Sequence, residues 1–139
     1  MQVEHHISIA APPDRIFGIY EDVSDWHTWD PDTKSATIDG PFVVGAKGKL
    51  VPTKGNAVPM LLTSVQRNRS FTVESRIPLF RMVFEHELYP SGATTEVVHR
   101  ITFSGALSFV LGRLLAKRVN AGLPATLSNL KRMAESSAA

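Results

Sequence analysis

The sequence predicts an α+β domain in which a curved antiparallel sheet wraps around a long C-terminal helix, with two short helices after the first strand. Three observations carry that expectation. From residue 34 to residue 104, short segments of alternating polarity are separated by turn residues. After Gly105 the apolar residues recur at helical spacing to the end of the chain. Between the first strand and the meander, Pro12-Pro13-Asp14 and Ser24-Asp25 supply two helix-start signals.

Each element follows from its residues. Val3, His5, Ile7 and Ile9 alternate with Glu4, His6 and Ser8, which reads as a strand over 2–10. Proline at 12 and 13 stops it and suits a first helical turn, and Ile16, Phe17 and Tyr20 then share a helical face over 12–20. A second short helix over 23–30 carries Val23, Trp26 and Trp29 and ends at Asp30-Pro31-Asp32. The meander then runs through segments 34–39, 46–52, 58–66, 70–77, 81–89 and 94–104. Gly40-Pro41, Lys54-Gly55-Asn56, Arg67-Asn68-Arg69, Pro78 and Pro90-Ser91-Gly92 separate them. Phe71, Val73, Ser75 and Ile77 oppose Thr72, Glu74 and Arg76, so one face is apolar and one charged. The same holds for Met82, Phe84, His86 and Leu88, and for Thr95, Val97, His99, Ile101 and Phe103. Leu107, Val110, Leu111, Leu114, Leu115, Val119, Leu123, Leu127, Leu130 and Ala134 draw one stripe along a helix over 107–135. Pro124 lies inside it. Because the stripe stays in phase, one kinked helix is expected there and not two.

Composition narrows the classes. The chain has 139 residues, 43% of them hydrophobic and 20% charged, which suits a single globular domain spanning 1–139. With no cysteine, disulfides, thiolate metal sites and cysteine nucleophiles are excluded. No apolar run is long enough for a membrane span, so no stable membrane insertion is expected. A formal charge of +2 with scattered basic residues argues against nucleic acid as a partner. Cytoplasmic localisation is the expectation.

The stretch Ala11-Pro12-Pro13 before Ile16-Phe17 resembles the opening of the START-like (SRPBCC) helix-grip superfamily, as does Val23-Ser24-Asp25-Trp26-His27-Thr28-Trp29-Asp30-Pro31. Gly40-Pro41-Phe42 with Gly45, His86-Glu87-Leu88-Tyr89-Pro90 with Gly92 and Thr94, and Gly122-Leu123-Pro124 with Leu127 are also similar to its polyketide cyclase/dehydrase-like branch. The resemblance covers nearly the whole chain. It implies a helix-grip fold with an apolar cavity between sheet and long helix. It further implies binding or carriage of a small hydrophobic molecule such as a lipid, sterol or polyketide, with cyclisation or aromatisation catalysed by a minority of members.

His86 and His99 interrupt the apolar faces of neighbouring strands. Two registers are compatible with the Pro90–Thr94 turn. One sets Glu87 against Glu96, a like-charge pair; the other sets Glu85 against Arg100 and brings His86 opposite His99, and is favoured. Three roles stay open for the pair. They serve as acid and base in a cyclase-type enzyme, hydrogen-bond a ligand's polar group, or are structural histidines bonded to backbone. Around them Trp26, Met60, Phe71, Val73, Ser75, Phe84, Val97, Ile101, Leu111 and Leu115 are the candidate ligand-binding residues. Trp26 is expected to be the more mobile tryptophan and Trp29 to plug the sheet–helix junction. Ser75, Thr63 and Thr95 carry hydroxyls that need partners if inward. No metal is expected: two histidines without a third ligand make no site, and His5 and His6 point to opposite faces. No cofactor is expected either.

The leading expectation is a non-enzymatic carrier of a small hydrophobic ligand, monomeric or homodimeric. A cyclase/aromatase and an interaction module with a filled cavity are the alternatives. Phe109, off the main helical stripe, is the residue that suits a dimer contact.

Overall fold

A computed structural model describes residues 1–136. Strand β1 (Gln2–Ile9) leads into helix α1 (Pro13–Glu21) and a 3₁₀ segment (Val23–Thr28). Six strands follow: β2 (Thr33–Ile38), β3 (Lys47–Pro52), β4 (Val58–Gln66), β5 (Ser70–Ile77), β6 (Phe80–Ser91) and β7 (Thr94–Ser104). A 3₁₀ turn (Ala106–Phe109) joins β7 to the long helix α2 (Leu111–Ser136). This is the α+β helix-grip architecture that the sequence predicts.

All seven strands form one antiparallel sheet in the order β1-β7-β6-β5-β4-β3-β2. The meander is continuous, and β1 closes it by pairing with β7 at the far edge. Register shifts interrupt β4 between Leu62 and Ser64 and β2 between Thr33 and Ser35, and such irregularities add local twist. At Gly48 a Cβ would collide with the Thr37 carbonyl across the β2–β3 pair, so only glycine fits there.

Three boundaries differ from expectation. The second short helix is a 3₁₀ segment ending at Thr28, since Trp29 and Asp30 both hydrogen-bond the Trp26 carbonyl as the chain leaves the helix. Strand β6 runs from Phe80 to Ser91: at its start the two-residue turn Pro78-Leu79, with Leu79 at φ +62°, sets Ile77 against Phe80, and at its end Pro90 and Ser91 still pair with Thr95 and Thr94. The long helix begins at Leu111 and not at 107. Gly105, at φ +100°, redirects the chain into the 3₁₀ turn first. From Leu111 the helix runs unbroken through Pro124, one helix as the in-phase stripe predicts.

Helix α2 lies chiefly along β1. The core falls into two clusters. One gathers Phe17, Tyr20, Trp26, Trp29, Phe71 and Leu130 beneath α1 and the C-terminal half of α2. The other gathers Phe80, Ile101, Phe103, Ala116 and Leu123 beneath its N-terminal half. Phe84 on β6 touches both. Burying each large aromatic is worth roughly 2–3 kcal/mol, so these clusters set the curvature that the sheet must keep.

Candidate functional site

The β6–β7 register pairs Glu85 with Arg100 and His86 with His99, as the charge argument favours. Arg100 sits on the outer face between Glu4 at 2.7 Å, Glu87 at 3.1 Å and Glu85 at 3.6 Å. The alternative register would have forfeited that cluster. On the inner face the two imidazoles meet edge to face, their centroids 4.6 Å apart. His5 of β1 stands opposite His99 in turn, so three imidazoles line one row across three strands. The Nε2 of His5 is bonded to Asn120 Oδ1 of α2 at 2.6 Å.

Each of the central pair is held by a specific partner. The Nδ1–H of His86 donates to the Phe71 carbonyl at 3.2 Å, and a carbonyl only accepts, which assigns the tautomer and leaves Nε2 with a lone pair. The His86 ring also stacks on Phe71, 3.9 Å between centroids and 3° from parallel. His99 Nε2 shares a 2.8 Å hydrogen bond with the Tyr20 hydroxyl. Tyr20, fully buried, is surrounded by Phe17, Trp29, Phe71, His86 and His99.

The electrostatics follow from burial. Desolvation pushes the His86 imidazole down to about 4, against the opposing pull of its carbonyl bond. Desolvation, and then the neighbouring His86, hold His99 well below the ordinary imidazole range. Burial raises the Tyr20 phenol. At neutral pH all three are uncharged, a set of neutral hydrogen-bonding groups in an aromatic shell.

Burial is uneven around this shell. His86 itself is only half-buried. Its Nε2 has no hydrogen-bond partner among the described residues and is not sealed from solvent. Met82 and Phe84, inward on the same strand, are half-buried too, as are Leu111, Leu115 and Val119 on the facing helix.

The candidate residues sort accordingly. Trp26, Phe71, His86 and His99 converge around Tyr20. Met60, Val73 and Val97 are buried in the same cluster. Ile101, Leu111 and Leu115 belong to the second, with Phe84 between. Ser75 is buried and its hydroxyl donates to the Pro59 carbonyl at 2.7 Å, while Thr95 donates to Ala11 at 2.8 Å. Thr63 is exposed. Trp26, expected as the mobile tryptophan, is buried and donates to the Tyr20 carbonyl at 2.9 Å. Trp29 is the one whose buried indole N–H lacks a partner among the described residues.

Two clefts open on the surface away from this shell. One of about 700 Å³ lies between α1, the first 3₁₀ segment and α2, lined by Asp14, Asp22, Asp25 and Trp29 among others. The other, about 430 Å³, lies beside the β4–β5 turn. Neither contains a candidate ligand-binding residue. Among the described residues no three His, Cys, Asp or Glu side chains converge to hold a metal ion, and no helix is long and apolar enough to cross a membrane.

Tyr20 was legible as an apolar-face residue of α1, but not as the partner of His99, which lies 79 residues away in sequence. Phe42, part of the Gly40-Pro41-Phe42 stretch, packs on Phe17 and Phe71 from the β2–β3 loop, a contact that its place in the sequence did not signal.

Comparisons with known proteins agree with this geometry. A comparison with curated proteins finds no match. Among solved structures, a protein from Thermus thermophilus superposes with a TM-score of 0.78 at 18% identity, covering 100% of both chains. A START superfamily protein from Mycobacterium smegmatis gives 0.77 at 17% identity, covering 97% of each. The di-domain aromatase/cyclase StfQ of the steffimycin biosynthetic pathway gives 0.79 at 13% identity over 99% of this chain and 51% of that one. At such identities the likeness shows the fold. The sequence profile of the family described as polyketide cyclase/dehydrase and lipid transport matches residues 1–135, and the chain belongs to that family.

Proposed function

We propose that this protein binds and carries a small hydrophobic molecule between the sheet and the N-terminal half of α2. The observation that carries the reading is the half-buried state of His86, Phe84 and Met82, which point inward from β6 deep in the fold. Inward side chains that stay accessible are what a ligand space between sheet and helix would require. An apolar ligand there gains about 25 cal/mol for each Å² it buries. The lone pair on His86 Nε2 then accepts a hydrogen bond from the ligand's hydroxyl or amide and orients it. Phe71, Tyr20 and His99 hold that imidazole in place.

Carriage is favoured over acid–base catalysis by the charge state of the site. A cyclase needs a proton donor and acceptor poised near neutrality. Burial depresses both histidines and raises Tyr20, which favours a role for them as neutral hydrogen-bonding groups at pH 7.

Native mass spectrometry of freshly purified protein tests the reading. The expected result is an adduct of a few hundred daltons, extractable into organic solvent and displaced by added lipid or polyketide. Ligand-free protein that binds nothing from panels of either class would overturn it.

A further inference from the structure

At one end of the sheet, β5 turns into β6 and β7 leaves for α2. There the surface is apolar. Leu79, at the tip of the β5–β6 turn, is 65% exposed and holds φ +62°, a conformation that a bulky residue adopts only under constraint. The constraint is visible. The Leu79 carbonyl accepts the Leu107 N–H at 2.8 Å, and the backbone of Gly105 packs so tightly on it that a Cβ would lie 2.7 Å from that oxygen. The turn is thereby fastened to the 3₁₀ turn before α2. Beside it Phe109 is 83% exposed, Val110 69% and Leu114 57%. Three segments thus present four large apolar side chains to water from one linked frame. Scattered surface leucines need no explanation, but a contiguous group does.

The charges around this group are of one sign. Arg113, Lys117 and Arg118 follow in the first turns of α2, all exposed, and none forms an ion pair among the described residues. From Val97 to Ala134 the sequence contains no Asp or Glu. The acid nearest the β5–β6 turn, Glu74, is already engaged by Arg76 at 2.9 Å and Arg81 at 3.0 Å. A second copy seated symmetrically here would press these cations against their equivalents with no carboxylate to receive them.

We propose that this end of the molecule docks on the surface of an anionic lipid bilayer. Phe109, Val110, Leu114 and Leu79 enter the boundary between headgroups and acyl chains, and Arg113, Lys117 and Arg118 meet lipid phosphates. Docking is peripheral, and it does not depend on the interior holding a ligand.

Co-sedimentation of the full chain with vesicles tests this, using phosphatidylcholine alone and phosphatidylcholine with about a third phosphatidylglycerol. The protein is expected on the anionic vesicles and far less on the neutral ones, and raised salt should lower its partition on the anionic vesicles. Phe109→Ser should lower the partition about tenfold, and Lys117→Gln and Arg118→Gln about fivefold each. All three side chains are exposed, so thermal melts of the variants should match the parent. Leu115→Trp, which alters the interior, should dock like the parent, so failure of docking and failure of the carrier reading separate. Equal partition on neutral and anionic vesicles would overturn the proposal, as would undiminished partition of Phe109→Ser. So would a parent dimer that Phe109→Ser dissociates while neither form binds vesicles, which would assign the patch to a protein contact.

Discussion

His86 and His99 face each other across the β6–β7 pair, and neither ring has a countercharge: one nitrogen of His86 donates to a backbone carbonyl, and one of His99 meets a phenol. Two imidazoles so close to each other and so deep cannot both be protonated without charge entering an aromatic shell. They are therefore neutral by construction, and the stability of the fold depends on keeping them so.

The first prediction is a pH dependence. His86 titrates near 6.5 when unfolded and near 4 when folded. Between those values the unfolded chain binds the extra proton, so stability is full above pH 6.5 and falls as pH drops toward 4. For His86 alone the loss between pH 8 and pH 5 is about 2 kcal/mol. His99, also depressed, acts in the same direction. Asp30, raised by burial, acts oppositely. Urea unfolding midpoints against pH should show the decline, and His86→Gln should flatten it. An unchanged slope in His86→Gln would refute the assignment.

The second concerns Tyr20. Tyr20→Phe keeps the ring contacts with Phe71 and Trp29 and removes only the bond to His99 Nε2. Leaving a buried ring nitrogen without a partner should cost about 1–3 kcal/mol in chemical denaturation. A loss below a few tenths of a kcal/mol would mean that His99 finds another partner readily.

A third prediction separates an open interior from a filled one. Leu115 is half-buried on α2 and packs with the Phe80, Ile101 and Phe103 cluster. If a space lies before it, Leu115→Trp fills that space: the adduct in native mass spectra disappears while the melting temperature holds or rises. If side chains already occupy the interior, the larger ring overpacks it, at about 1–3 kcal/mol. The sign of the stability change decides.

The fourth is at Gly105. Its φ of +100° disfavours any side chain, and a Cβ would meet the Leu79 carbonyl at 2.7 Å. Gly105→Ala should destabilise by at least about 2 kcal/mol. Because it also loosens the link between the β5–β6 turn and α2, amide exchange at Leu107 should accelerate. Protection at Leu107 equal to the parent's would show that the link does not rest on this glycine.

How much of this was legible follows from the range of each interaction. The strands of the meander, the favoured β6–β7 register and the unbroken helix through Pro124 all rest on neighbours in sequence or across a tight turn. Alternation, charge opposition at Glu85–Arg100 and the phase of the leucine stripe suffice for them. The start of α2 departs from expectation because Leu107 and Val110 fit a helical stripe, while Gly105 and a backbone bond to Leu79 impose a 3₁₀ turn. The closure of β1 onto β7, and with it the place of His5 in the histidine row, depends on a pairing between the two ends of the chain. No local pattern encodes it.

By itself the sequence determined the fold class and the family resemblance and favoured the pairing of His86 with His99, because periodicity and cross-strand charge act over short distances and leave their mark in residue order. Only the tertiary structure decided what that pair is. The Tyr20 hydroxyl and the Phe71 carbonyl arrive from other elements and take one nitrogen each. Burial among aromatic rings then removes the charge that proton transfer would need. The same three-dimensional assembly left Leu79 and Phe109, ordinary apolar letters in the chain, exposed on segments tied to each other by the Leu107–Leu79 bond, ahead of Arg113, Lys117 and Arg118, which form no ion pair among the described residues. Desolvation and exposure belong to the packed molecule, so neither could be read before the chain was folded.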